Sequence, residues 1–173
     1  MLKPVKIDLP YPSLNGIEPN YKIAKVIIPA FSGGHSELNA ILQYIYHFFN
    51  FNELKNFDLA ETLMGIALCE MEHLQILGKL LIKLGVDPVF AKNPPYKTEF
   101  YSTKSLSYSR LPIKMLLDNI SGEMLAINDY KQMSDQIQDE KVLAVISRLL
   151  LDETLHLTVL KDSLKDYMKE FNI

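Results

Sequence analysis

The chain has 173 residues, 48% of them apolar, with 21 acidic and 18 basic side chains, one cysteine and no tryptophan, a size that suits a single domain able to bury a substantial core. The lone Cys69 excludes an internal disulfide and any cysteine-based zinc or iron–sulfur site, and it fits a reducing compartment. A net charge of −3 without a basic cluster gives no footprint for a phosphate backbone, so nucleic acid is not an expected partner.

Met1-Leu2-Lys3-Pro4 lacks the basic start and apolar run of a signal peptide, and the longest uncharged run, Leu38 to Asn52, is too short and too polar to span a bilayer. The expectation is a cytoplasmic chain with no membrane partner. Pro4, Pro10, Pro12, Pro19 and Pro29 crowd the first stretch; each fixes φ and removes a donor, so residues 1–32 are expected to form an extended arm. From Gly33 on, apolar residues recur at helical spacing, and the breaks between them predict four helices at roughly 33–51, 56–85, 111–136 and 139–170. Short links make helices 1–2 and 3–4 antiparallel pairs, while the link of about 25 residues between helices 2 and 3 is long enough to cross the bundle. The expected fold is therefore an all-α four-helix bundle over residues 33–173, a single domain. No strand is expected, because Lys25-Val26-Ile27-Ile28 ends at Pro29 and has no second strand to pair with.

Aligning the two halves exposes a repeat. Helix 1 carries Glu37-Leu38-Asn39-Ala40-Ile41-Leu42-Gln43-Tyr44 and helix 3 carries Glu123-Met124-Leu125-Ala126-Ile127-Asn128-Asp129-Tyr130. Helix 2 carries Glu70-Met71-Glu72-His73-Leu74 and helix 4 carries Glu153-Thr154-Leu155-His156-Leu157, both of the form ExxHL. A single ExxH would carry little weight. Here, however, two copies alternate with two matched glutamates, and all four acidic residues lie within apolar stripes such as Ile66, Ala67, Glu70, His73, Leu77 and Leu149, Glu153, His156, Leu160. Four carboxylates thus point into the predicted core.

A buried carboxylate must be protonated, ion-paired or metal-bound. The stripes hold no Lys or Arg, whereas two divalent cations balance four carboxylates, so charge points to a dinuclear centre. Residues three apart share a helix face, so each ExxH presents one oxygen and one nitrogen ligand together. Carboxylate and imidazole ligands without a thiolate suit Mn or Fe, two ions per chain, without separating the two metals.

These motifs resemble those of the ferritin-like superfamily of dinuclear carboxylate proteins. The nearer likeness is to manganese catalases and their small spore-coat relatives, with rubrerythrins next. The Gly33-Gly34 pair before Glu37-Leu38 looks like the start of the first metal helix in manganese catalases. The resemblance implies that Glu37, Glu70, His73, Glu123 and His156 bind the metals, with Glu70 bridging and Glu37 and Glu123 terminal. It leaves Glu153 either a second bridging ligand, as in di-iron members, or a nearby base outside the ligand sphere. Glu70 and Glu153 are the residues expected closest to the chemistry. Two departures stand out: Ile120 occupies the turn where rubrerythrins carry an extra glutamate, and the four cysteines of a rubredoxin domain are missing.

The resemblance implies redox chemistry on hydrogen peroxide or dioxygen, catalase-like with manganese, or rubrerythrin-like with iron and an external electron donor. The alternatives are ferritin-like metal storage with ferroxidase entry, a coat-type structural role, or, last, a di-iron hydroxylase. A homo-oligomer is expected, with the arm and its apolar Val26-Ile27-Ile28 wrapping a neighbouring subunit. Tyr44 and Tyr130, two turns beyond Glu37 and Glu123, can each reach a ligand carboxylate across the bundle and hold its orientation, or serve as plain core tyrosines. His35 and His47 are read as surface or rim residues, Glu72 as solvated, Cys69 as a small buried hydrophobe, and the inner Met and Phe residues as core rather than channel.

Overall fold

A computed structural model of the chain describes residues 3–91 and 100–172. Five α-helices follow one another: α1 Tyr21–Ser32, α2 Glu37–Glu53, α3 Phe57–Lys83, α4 Pro112–Gln136 and α5 Glu140–Glu170. Among the described residues there is no strand, only an isolated bridge between Ala91 and Phe100. The part of the expected crossover at 92–99 lies outside the described residues. The four long helices form the expected bundle, in which α2 pairs with α3 and α4 with α5.

Local chemistry sets the helix ends. The Ser36 hydroxyl accepts from the Asn39 N–H and starts α2, so His35 precedes the helix and is exposed. Asn56 and Asp139 cap α3 and α5 in the same way, and Pro112 occupies the first turn of α4. After α3, Gly85 takes φ +84 while the Val86 N–H bonds back to the Leu81 carbonyl at 2.9 Å, a Schellman stop that needs glycine at the left-handed position.

The expectation of an extended arm through residue 32 is corrected. Residues 3–20 contain no helix or strand, but Tyr21–Ser32 form α1 despite Pro29. Asn20 accepts from the N–H groups of Lys22 and Ile23 to start it. Pro29 falls in the last turn, where only the bond to Lys25 is lost, and burial of Ala24, Ile27, Ile28 and Phe31 on one face offsets the loss. The segment read as a wrap for a neighbour therefore lies in this chain's own core. A Cβ on Gly33 would stand 2.5 Å from the Pro29 carbonyl oxygen, so the tight passage from α1 into α2 requires glycine.

Residues 3–16 run antiparallel to α5. Lys3 pairs with Asp166, the Val5 carbonyl meets His156, Ile7 meets Asp152, Leu9 meets Arg148 and Gly16 meets Lys141. On the other side Lys6 pairs with Glu72 and the Tyr11 hydroxyl approaches Cys69, so the strand-like arm fills the groove between α3 and α5.

Two apolar clusters divide the core. One joins α1 to Leu77, Leu80, Tyr130, Ile146 and Leu149, and the other holds Phe51, Leu63, Ile66, Met115, Leu116 and Leu160. The polar residues of the ExxH motifs fall between them along α3 and α5.

Candidate metal centre

The four long helices bring together all six residues of the repeated pattern. Glu70 and His73 come from α3, Glu153 and His156 from α5, Glu37 from the first turn of α2 and Glu123 from the middle of α4. Each is at most 5% exposed. They form two tetrads, Glu37/Glu70/His73/Glu153 and Glu70/Glu123/Glu153/His156, with the donor atoms of each within 4.8 Å of one another. Glu70 and Glu153 belong to both.

The arrangement is close to two-fold symmetric. His73 Nδ1 lies 2.9 Å from Glu70 Oε2 and 2.9 Å from Glu153 Oε1, with Glu37 Oε2 at 3.7 Å. His156 Nδ1 lies 3.0 Å from Glu70 Oε1 and 3.8 Å from both Glu153 Oε2 and Glu123 Oε1. Each of the two shared carboxylates thus turns one oxygen to each imidazole. Glu153 lies beside both histidines, as close to His73 as Glu70 is but 0.8 Å farther from His156 (3.8 Å against 3.0 Å).

Tyr44 and Tyr130 are buried and paired crosswise. The Tyr44 hydroxyl on α2 donates to Glu123 Oε1 on α4, and the Tyr130 hydroxyl on α4 donates to Glu37 Oε1 on α2. The symmetry of the helix repeat thus reappears in the hydrogen bonds around it.

Behind the imidazoles, symmetry ends. His156 Nε2 lies 2.7 Å from the Val5 carbonyl oxygen, an acceptor only, so Nε2 carries the proton and Nδ1 turns its lone pair inward. His73 Nε2 lies 3.1 Å from Asp152 Oδ2, which also accepts from the Tyr11 hydroxyl at 2.8 Å and pairs with Arg148 Nη1 at 2.8 Å. The Ile7 N–H donates to the other oxygen of Asp152 at 2.8 Å.

Asp152 sits off the α5 stripe and finds its partner on another helix, so helical spacing alone does not pick it out. The available signal was Arg148 one turn before it, a basic residue in a mostly apolar register. His47 is corrected from rim to core: it is fully buried, with Nδ1 2.8 Å from Asn119 Oδ1. Gln43 donates to the same oxygen at 3.0 Å, so α2 faces α4 through a polar stripe that a search for apolar spacing passes over. Glu72 is exposed and Cys69 buried, the latter with its thiol 3.5 Å from His73 Nε2.

Electrostatics divide the carboxyl groups. Burial, reinforced by the negative charges of Glu70 and Glu153, pushes Glu37 and Glu123 well above the usual carboxylate range. Burial would also raise Glu70 and Glu153, but the two imidazoles outweigh it and hold both below that range. Burial would lower His73 and His156, yet the surrounding acidic groups raise both well above the ordinary imidazole value. Asp152 and Arg148 neutralise each other, leaving four glutamates for any further cation to balance.

The donor set fits a pair of divalent ions. Glu70 Oε1, Glu123 Oε2, Glu153 Oε1 and His156 Nδ1 are buried without a hydrogen-bond donor or acceptor to satisfy them, and the Nδ1 atoms of both imidazoles face carboxylate oxygens. A proton or a cation has to stand between such groups. A cleft of about 370 Å³ between α2 and α4 reaches Glu37, Glu123 and Glu153 and is lined by Asn39, Gln43, Ser105 and Ser107 among others. The loop before α4 walls it, with the Ser107 N–H bonded to Gln43 Oε1 at 3.0 Å. Phe51 and Met115 are core as expected, whereas Met133, also in the core, touches the cleft.

The sequence model of the Ferritin-like family matches residues 33–135. The chain belongs to the ferritin-like family. No curated protein sequence matches it. Two structures of KatB, a manganese catalase from Anabaena, align with a TM-score of 0.78 at 21% and 23% identity, covering 93% of this chain and 79% of theirs. Rhodobacter capsulatus bacterioferritin, solved with a metal-free dinuclear site and heme iron, aligns with a TM-score of 0.70 at 20% identity over 88% of this chain and 89% of that one. The bacterioferritin-related protein of Bacteroides fragilis, a dodecameric thioferritin, gives 0.72 at 20% identity over 92% and 94%. At these identities the likeness establishes the fold. Among the described residues, no helix is long and apolar enough to cross a membrane.

Proposed function

We propose that this ferritin-like chain is a dinuclear manganese or iron oxidoreductase acting on hydrogen peroxide or dioxygen, of manganese-catalase or rubrerythrin type. The observation that carries the reading is the pair of tetrads that share Glu70 and Glu153 and open onto the cleft at Glu37, Glu123 and Glu153. Glu37 and His73 would complete one ion's ligands and Glu123 and His156 the other's, with Glu70 and Glu153 serving both. Such a pair of ions, when bound, supplies two-electron redox chemistry at both oxygens of a peroxide.

The chain's own part is positioning and proton handling. Tyr44 and Tyr130 hold the two outer carboxylates. Glu153 lies at the inner end of the cleft, and were it to stand outside the ligand sphere instead of serving both ions, it could take a proton from an entering peroxide and return it to the departing oxygen. The cleft lining mixes polar Asn39, Gln43, Ser105 and Ser107 with apolar Ala40, Leu106, Leu125 and Met133, and a small oxidant such as peroxide fits within it.

With manganese the reaction is disproportionation, which needs no donor. With iron it is a peroxidase or oxidase drawing two electrons from an external donor. A homo-oligomer is part of the proposal, supported by the dodecameric Bacteroides fragilis neighbour, and light scattering tests it.

The deciding measurement is Mn and Fe content per chain on protein expressed with both supplied, followed by peroxide assays on the loaded protein. Two Mn per chain, one per tetrad, with dioxygen released at half the rate of peroxide consumption, is the expected result for the catalase form. Two Fe with donor-dependent peroxide reduction supports the peroxidase form. A metal content below about half an ion per chain, unimproved by reconstitution, would overturn the redox reading, and iron loading far beyond the paired site in a cage-sized particle would replace it with storage.

A further inference from the structure

The arm reaches both histidines from behind, through backbone groups and one phenol, and no ligand pattern requires it to do so. The Val5 carbonyl fixes the His156 proton on Nε2 at 2.7 Å. Two residues on, the Ile7 N–H holds Asp152 Oδ1 at 2.8 Å, and the Tyr11 hydroxyl holds Oδ2 at 2.8 Å. Asp152 in turn meets His73 Nε2. Arg148 fastens the same segment to α5, donating from Nη2 to the Ile7 carbonyl at 2.8 Å and from Nε to the Leu9 carbonyl at 3.0 Å, while its guanidinium lies over the Tyr11 ring at 4.5 Å.

We infer that residues 5–11 are a positioning strap for the metal centre: docked between α3 and α5, they set the tautomer and orientation of both imidazoles, so that strap docking and metal binding stabilise each other. The inference rests on the dinuclear reading above. Groups that accept from a ligating imidazole's far nitrogen fix its ring and raise its donor strength, and losing them costs roughly 10- to 100-fold in metal affinity. Here those groups come from a segment with no helix or sheet bonds of its own, whose docking rests on contacts to α3, α5 and the two histidines, so a metal that orders the histidines also favours the docked segment. The coupling is reciprocal: whatever the strap adds to metal affinity, metal adds to strap docking.

The test uses the full chain, with Mn(II) alone as the probe. Free Mn(II) is followed by its solution electron paramagnetic resonance signal during titration, and backbone amide exchange over residues 5–11 is measured with and without the ion. Wild-type protein is expected to bind two Mn(II), with exchange at Ile7 slowed on binding although Ile7 touches no metal ligand directly. Tyr11→Phe keeps the ring and its stacking but removes the hydroxyl on Asp152, and it is expected to weaken Mn(II) binding several-fold. Deleting residues 1–8 removes the Val5 and Ile7 contacts and should weaken it roughly 10- to 100-fold. Adding a synthetic peptide of residues 1–12 in trans should recover much of that loss, which a generally misfolded variant would not allow.

Two Mn(II) bound to wild-type protein, with affinities of both variants within twofold of it and no change in exchange at residues 5–11, would overturn the strap and leave the dinuclear reading standing. Neither Mn(II) nor Fe(II) bound by wild-type protein, before or after reduction and chelator treatment, would overturn both.

Discussion

Tyr44 and Tyr130 each donate to the glutamate of the opposite helix, so neither acts on the metal-helix glutamate of its own repeat. Replacing Tyr130 by Phe leaves a fully buried ring in place and removes one donor from Glu37 Oε1. A hydrogen bond to a charged group is worth about 1.5–3 kcal/mol, and the group it steadies is a ligand, so Tyr130→Phe is expected to weaken metal binding roughly tenfold with helix content unchanged by circular dichroism. Tyr44→Phe should match it, because the two contacts are mirror images. Unchanged metal affinity in both variants would make these residues plain core. At this scale the sequence was legible wherever a residue obeyed the repeat: six acidic and imidazole side chains and two tyrosines fall where helical spacing puts them. Asp152 and His47 were not legible. Each meets its partner on another helix, His73 and Asn119, and a single-helix stripe carries no information about that neighbour.

Among the elements, α1 shows how a proline count misleads. Its face Ala24, Ile27, Ile28, Phe31 has the same i, i+3, i+4, i+7 spacing as the other helices, but four prolines upstream and Pro29 within it argue for extended chain. Proline is costly in the middle of a helix and cheap near its end, where few bonds remain to be lost. Ile27 is fully buried, while Ile82 on α3 is 62% exposed. Ile27→Ala is expected to cost about 2–5 kcal/mol, lowering the melting temperature by roughly 5–15 °C for a chain of this length. Ile82→Ala should stay within about 0.5 kcal/mol. Equal melting temperatures for the two variants would mean that α1 does not close the core. The long helices were legible to within a few residues because Ser36, Asn56, Asp139 and Pro112 punctuate them.

Taken whole, the molecule stacks two apolar clusters around an acidic layer, and its stability must depend on what neutralises that layer. Without metal, protons do. His73 and His156 have folded-state values raised well above the ordinary imidazole value by the carboxylates around them, after burial has pulled the other way. A group raised in the folded state stabilises fully below its unfolded value, about 6.5 for imidazole, and that stability is lost as pH rises through the folded value. Glu37 and Glu123, raised by burial, add to the same trend. Glu70 and Glu153, held low by the imidazoles, act oppositely, but only on the acid side. The metal-free protein should therefore melt at falling temperature as pH rises from about 6 to about 9. Metal ions compete with those same protons, so their binding tightens over that range and the stabilisation they confer grows. Melting curves taken with Mn(II) and with chelator should accordingly diverge as pH increases. A gap that stays constant with pH would mean that protons and metal do not share these sites, and the charge balance that first pointed from four buried glutamates to two ions would fail with it.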